Sequence, residues 1–456
     1  MAKKVPASTA KDERTPVIPH RETAGGTGTL AAEIAKEPNR VKRYFKLLGP
    51  GLITGASDDD PSGIGTYAVA GAQLGFATLW LALVTFPLMA SVQYICAKIG
   101  MVSGQGLAGV LRKHYSRKLL YGAVLALVIA NAINVGADIG AIAAAINLLV
   151  PIPIAAMIVP TALLILTLQI WGSYRLIARV FKWLTLALFA YIASAFFARP
   201  GLLEVVKGTF VPTLQFNATF VSTLVAILGT TISPYLFFWQ ASQEVEEDIS
   251  MGRKRLWQRR GASDLELRYA AVDVNTGMAF SNVVMYFIIL STAATLFKAG
   301  KTNINSATDA AQALRPLAGD AASLLLAVGL IGAGFLAVPI LSGSSAYAVS
   351  EAIGWRFGLE EKPSRAKAFY GVIALSTLVG MLINFAGINP IDALFGTAVL
   401  NGLVAPPVLV LIMLVSNNRS IMGERVNNRW INLLGWVTTV VMFVAAIALI
   451  ATWVGS

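Results

Sequence analysis

Eleven apolar segments, each long enough to cross about 30 Å of hydrocarbon as a helix, occupy most of this chain. They lie at approximately 47–73, 77–99, 119–148, 153–171, 177–198, 218–245, 270–297, 320–350, 367–387, 390–415 and 429–453. Hydrophobic residues make up 56% of the 456 and charged ones only 13%, with a mean hydropathy of +0.67. Soluble domains carry about 25% charged residues, so this chain cannot coat a water-facing surface. A cytosolic enzyme and a disordered chain are excluded. So is a disulfide scaffold, because Cys96 is alone. The sequence reads as an all-α polytopic membrane protein with about 11 transmembrane helices.

The net charge of +12 follows from topology. With the N-terminus inside, 31 of the 36 Lys and Arg fall in the tail and the cytoplasmic loops. The remaining five are Arg199, Lys207, Lys298, Lys301 and Arg315. This is the positive-inside bias, and it places the C-terminus outside. The lipid bilayer then accounts for the basic balance, with no nucleic-acid partner and no obligate protein partner evident. Residues 1–46 read as a flexible cytoplasmic tail ending in a basic stretch. The two histidines, His20 and His114, lie in polar segments outside every span.

Three spans contain residues that hydrocarbon rejects. In the first, Asp58-Asp59-Asp60-Pro61-Ser62-Gly63 interrupts an apolar run. Pro61 lacks an amide hydrogen and clashes with the preceding turn, so the helix must break there. Non-helical backbone at membrane depth survives only inside protein or along a watery cavity. Unwinding there frees carbonyl oxygens beside carboxylates, which together make a cation site. The sixth span has a matching break, in which Gly229 and Pro234 bracket Thr230, Thr231 and Ser233. The third span buries Asp138, with Asn131 and Asn134 on the same helical face. The eighth also reads as interrupted, at Pro339 and the small residues Ser342 to Ser345. The acidic run Glu244 to Asp248 reads as part of a solvated loop.

Breaks at corresponding places in two halves point to inverted repeats. The expected organisation is a first repeat over 47–198, an outside loop over 199–217, a second repeat over 218–415, and an accessory helix within 416–456.

Gly49-Pro50-Gly51, Asp60-Pro61-Ser62-Gly63 and Ala70-Gly71-Ala72, together with the broken sixth helix at Pro234, resemble the NRAMP divalent-metal transporters over residues 47 to 415. The resemblance implies a leucine-transporter-type 5+5 fold and alternating access around a mid-membrane metal. It also shows departures. The family's Asp-Pro-Gly-Asn has Gly63 at its Asn position. Its Met-Pro-His becomes Ser233-Pro234-Tyr235, and the acid expected three residues after Asp138 is Ala141. These changes resemble the NRAMP-related magnesium transporters of prokaryotes, which implies residence in a bacterial or archaeal inner membrane.

Coordination chemistry agrees with that resemblance. Thioethers favour transition metals, whereas carboxylate, hydroxyl and carbonyl oxygens suit Mg²⁺ and Mn²⁺. Mg²⁺ keeps several of its waters, and the small Gly63 and Ser233 leave room for them. The candidate metal residues are Asp60, Gly63, Thr230, Ser233 and Asp138. Asp59, Thr231, Tyr235, Asn134, Asn282 and Asn401 are candidates for the surrounding cavity. The metal is substrate and no cofactor is implied. Without a histidine in any span, proton coupling is not expected. The competing expectations are a proton-coupled Mn²⁺ or Fe²⁺ importer using Met278 or Met285, an amino-acid transporter, and an intramembrane aspartyl protease pairing Asp60 with Asp138.

Overall fold

The computed structural model describes residues 37–172 and 188–454, and no strand forms among them. In chain order the helices are α1 (Arg40–Leu47), α2 (Pro50–Asp58), α3 (Pro61–Leu74), α4 (Trp80–Ser103), α5 (Leu107–His114), α6 (Arg117–Leu149), α7 (Ile154–Trp171) and α8 (Ala190–Phe197). They continue with α9 (Leu202–Phe210), α10 (Ala218–Thr231), α11 (Pro234–Ser250), α12 (Asp264–Thr292), α13 (Ala322–Ile353), α14 (Lys367–Ile383), α15 (Pro390–Ser416) and α16 (Arg429–Val454). Among the described residues nine helical stretches are long and apolar enough to cross a membrane, with α10 and α11 counted together. The first expected span, split into α2 and α3, is not one of them because its break carries the three charged residues Asp58, Asp59 and Asp60. The fifth, expected over 177–198, falls half outside the described residues, and α8 is its described end.

The expected tail is described only from residue 37. Residues 1–36, including His20, lie outside the described residues. Its end folds as α1, started by Asn39, whose side chain accepts the Val41 and Lys42 amides at 3.0 and 3.2 Å.

Two other expectations are corrected. The eighth span is the unbroken helix α13, despite Pro339. A neighbouring helix supports that segment: Gln169 of α7 donates to the Pro339 carbonyl at 3.2 Å and to Ser342 Oγ at 2.9 Å. The acidic run Glu244 to Asp248 is not a solvated loop either. It continues α11 to Ser250, with Glu244 and Asp248 buried.

Backbone contact between helices sets the position of the site. A Cβ on Gly55 would lie 2.1 Å from the Gly277 carbonyl oxygen, and one on Gly277 would lie 2.1 Å from that of Gly51. Only glycines allow α2 to lie this close to α12. Asp273 of α12 then caps α2, accepting the amides of Gly49, Gly51 and Leu52 at 2.9, 2.6 and 3.0 Å. Two apolar cores meet at the helix breaks. One contains Ala56, Ile232 and Tyr235, and the other contains Ile64, Tyr67 and Ile227.

Candidate metal site

Both breaks have the same local construction. Helix α2 stops at Asp58, Asp59 leaves the helical region, and Asp60 is extended (φ −67, ψ 167) as the N-cap of α3, with Pro61 in its first turn. Helix α10 stops at Thr231, Ile232 leaves the helical region, and Ser233 (φ −79, ψ 131) precedes Pro234 in the first turn of α11. Proline fits a first turn because that amide has no intrahelical partner. The C-terminal ends of α2 and α10 thus both finish inside the bundle. Helix C-termini carry partial negative charge and free carbonyl oxygens, which favour a cation.

Asp60 is 1% exposed, and its two oxygens differ. Oδ1 accepts the Gly63 amide at 2.6 Å and the Ser62 hydroxyl at 2.8 Å. Oδ2 has only longer contacts, with Asn134 Nδ2 at 3.3 Å and the Tyr235 hydroxyl at 3.5 Å. That hydroxyl is closer to the Ser57 carbonyl, at 3.0 Å. The capping bonds therefore orient the carboxylate and leave one oxygen weakly engaged.

Around it lie further buried acceptors. Asp58 Oδ1, Asp59 Oδ2, Asn134 Oδ1 and both oxygens of Asp138 have no hydrogen-bond partner of ordinary geometry, although the Ser62 amide faces Asp138. Unpaired buried acceptors are costly, and so many in one place match the requirement of a cation. Gly63 leaves space among them: a Cβ there would lie 3.2 Å from both the Asp58 carbonyl oxygen and Thr230 Oγ1, and 3.4 Å from Asp60 Oδ1. Among the described residues no three His, Cys, Asp or Glu side chains close into a metal-holding group. The oxygen set is thus a mixture of carboxylate, hydroxyl, amide and carbonyl.

The structure brings Asp60, Gly63, Thr230, Asp138, Asn134, Tyr235 and Asp59 to the first break. Three other candidates are employed differently. Ser233 Oγ turns back onto α10, donating to the Gly229 and Thr230 carbonyls at 2.7 and 2.8 Å. Thr231 Oγ1 likewise donates to the Ile227 carbonyl at 2.8 Å. Asn282 joins α12 to α4, donating to the Ala82 carbonyl and accepting from Thr85 Oγ1 at 3.0 Å. These hydroxyls and this amide bond locally because a helix offers its own carbonyls four residues back, or a neighbour's, at no cost in geometry. Asn401 is buried on α15 with its Nδ2 unpartnered. The sequence reading passed over Asp58 as a site residue and Ser281 as its partner. Ser281 Oγ donates to Asp58 Oδ2 at 2.6 Å and also lies 3.2 Å from Asp59 Oδ1.

The site is flanked by two cavities. One of about 170 Å³, on the face opposite the N-terminus, is lined by Ile64, Gly65, Ala141, Asn305, Leu330 and Asn389. It reaches the residues directly after Gly63. The other, about 90 Å³, lies on the N-terminal face beside Lys46, Glu244, Glu247, Asp248 and Asp273. The glycine contact of α2 with α12 stands between this cavity and Asp60.

A family model described as "Natural resistance-associated macrophage protein-like" matches residues 51–452. A protein of Deinococcus radiodurans named divalent metal cation transporter MntH is 28% identical over 416 residues, 89% of each chain. A Bacillus subtilis protein of the same name is also 28% identical, over 89% of this chain and 91% of its own. Among solved structures, the Eremococcus coleocola manganese transporter superposes with a TM-score of 0.72 at 20% identity, covering 91% of this chain and 88% of that one. The nucleobase-cation-symport transporter Mhp1 superposes at 0.56 and 13% identity, over 89% and 91%. These likenesses place the fold in the leucine-transporter type, and the relatives are named as transporters rather than enzymes. With the family model covering most of the chain, this multi-pass membrane protein belongs to the Nramp family.

Proposed function

We propose that this protein imports divalent metal ions across a prokaryotic plasma membrane by alternating access, with hydrated Mg²⁺ as its main substrate and Mn²⁺ as a second one. The single observation that carries this reading is the all-oxygen cluster at the first helix break, with Asp60 Oδ2 weakly engaged among unpaired acid oxygens. The names of the relatives support a divalent metal as substrate. Preference for Mg²⁺ is supported by the donor types: the two methionines able to supply sulfur, Met278 and Met285, sit in the two apolar cores. A hard cation that keeps its waters suits such a mixed oxygen set. In this reading Asp60 is the main ligand. Thr230 and the Asp58 carbonyl line the water shell, and Asp138, Asp59, Asn134 and Tyr235 surround it.

Transport is uncoupled from protons in this reading. Ala141 replaces the second acid on α6, and His114 lies on α5, outside the spans. The N-terminus is cytoplasmic, as the distribution of basic residues favours. An inside-negative potential then drives uptake, at about 2.3 kcal/mol per charge per 100 mV. The residues of the two five-helix halves, 47–198 and 218–415, act as the repeats. Separation of α2 from α12 opens the cytoplasmic side.

The test is reconstitution into liposomes holding a Mg²⁺ dye and a pH dye, at a set membrane potential. Mg²⁺ uptake without acidification is expected. Mn²⁺ uptake with acidification and no Mg²⁺ flux would overturn the reading in favour of a proton-coupled transition-metal importer, for which the buried Asp138 is the natural carrier.

A further inference from the structure

Helix α1 carries Arg40, Lys42, Arg43 and Lys46 and no acid within its eight residues, although Lys46 is ion-paired with Glu37 just before it. Its aromatic and aliphatic side chains Val41, Tyr44 and Phe45 fall on one arc, as their spacing requires. Val41 and Phe45 are 64% and 67% exposed, so none of the described residues covers them. The first membrane-crossing segment starts at Pro50, only three residues after α1 ends. A short basic amphipathic helix at that depth matches an element that lies in the headgroup layer.

The face of α12 beside α1 supplies an independent feature. Arg268, Ala271, Val272, Asn275 and Thr276 recur at helical spacing and, with Tyr44, line a shallow groove open to the outside. The Tyr44 hydroxyl lies 2.8 Å from Thr276 Oγ1 and ties the two walls together. Ala271 and Val272 supply half-buried aliphatic surface to that lining. Its rim carries the exposed guanidinium of Arg268, and Arg40 sits one turn from Tyr44 on α1.

We propose that this groove binds an anionic phospholipid, with the acyl chain along Ala271 and Val272 and the phosphate at Arg268, Arg40 and Arg43. Charge complementarity selects an anionic headgroup over a zwitterionic one, since basic residues beside the bilayer each attract anionic lipid. Only Leu48 and Gly49 separate α1 from α2. A lipid that holds α1 therefore also holds α2 in its docked position against Asp273 and Gly277, and favours the state closed on the N-terminal face.

The experiment is native mass spectrometry of the full-length protein in detergent, titrated with phosphatidylglycerol or phosphatidylcholine. The wild type is expected to retain phosphatidylglycerol about tenfold better or more. The triple variant Arg40→Gln/Arg43→Gln/Arg268→Gln should lose that preference. The variant Lys362→Gln/Arg365→Gln/Lys367→Gln, which removes three exposed charges elsewhere, should keep it. Ala271→Trp, which fills the groove and keeps every charge, should lose retention as well. Equal affinity of the wild type for both lipids, or equal loss in the two triple variants, overturns the proposal. Unchanged retention in Ala271→Trp overturns the groove as the place of binding. None of these readouts depends on transport.

Discussion

The Gly63 amide donates to Asp60 Oδ1 at 2.6 Å, and this bond joins fold to function in the protein. As N-cap of α3, Asp60 starts the second half of the broken helix. The same bond turns Oδ2 toward Asn134, Tyr235 and the unpaired acid oxygens. A cap requires only an oxygen acceptor, whereas a cation ligand of this kind requires the charge. The two roles are therefore separable by substitution.

Asp60→Asn keeps a good N-cap and removes the charge. We expect thermal stability near that of wild type, with Mg²⁺ uptake reduced about a hundredfold, on the order of 3 kcal/mol. Asp60→Ala should lose uptake equally and lose about 1 kcal/mol of stability as well. Thermal unfolding of the purified protein and dye-reported flux measure the two effects. Wild-type uptake in Asp60→Asn would remove Asp60 from the site.

The close approach of α2 to α12 makes Gly277 the most sensitive position of that interface. In Gly277→Ala the new methyl would meet the Gly51 carbonyl at 2.1 Å. Overpacking of this kind costs typically about 1–3 kcal/mol, and it acts only on the state in which α2 is docked. We expect the variant to populate an arrangement open on the N-terminal face, with faster amide exchange in Gly51 to Ser57 and slower net uptake. Hydrogen exchange followed by mass spectrometry reports it. Unchanged exchange would mean that α2 does not move during transport.

Much of this architecture was legible from residue type and spacing. Asp-Pro and Ser-Pro beside Gly and further polar residues in apolar runs favour the first turn of a new helix, so both breaks were readable. Pro339 misled because the same residue is tolerated where neighbours support the backbone, and Gln169 lies 170 positions away from it in sequence. Asp58 and Ser281 went unread for a similar reason: they are 223 residues apart and meet only because glycines bring α2 onto α12. Thr231 and Ser233 are the opposite case. Their place in the break is visible in the sequence, but whether a hydroxyl faces the site or its own helix is decided by side-chain rotation.

Asn282 illustrates that distinction as a prediction. It bridges Ala82 and Thr85 of α4 and contributes no contact to Asp60 among those described. Asn282→Ala should cost about 1–3 kcal/mol by leaving buried groups unpaired, while the Mg²⁺ concentration for half-maximal uptake stays at its wild-type value. A shift in that concentration without loss of stability would return Asn282 to the cavity.

Ser233→Met tests the role of donor type. The substitution removes two hydroxyl bonds to α10 and introduces a soft sulfur at the second break. Sulfur favours Mn²⁺ over Mg²⁺, so competition by Mn²⁺ against Mg²⁺ uptake should strengthen by about tenfold, roughly 1.4 kcal/mol. Equal competition in both proteins would mean that position 233 does not face the ion in any state of the transport cycle.

Asp138 separates the uncoupled reading from its rival. Its carboxylate faces the Ser62 amide and has no other hydrogen-bond partner among the described residues, and it lies on α6 near Asp60 and the start of α3. If it serves only the electrostatics of the ion, Asp138→Asn weakens Mg²⁺ uptake by about tenfold, and the pH dye records no acidification in either protein. If it carries protons, the wild type acidifies the liposomes during uptake and Asp138→Asn abolishes that signal while leaving part of the metal flux. We expect the first outcome, because the next acid along the helix is replaced by Ala141.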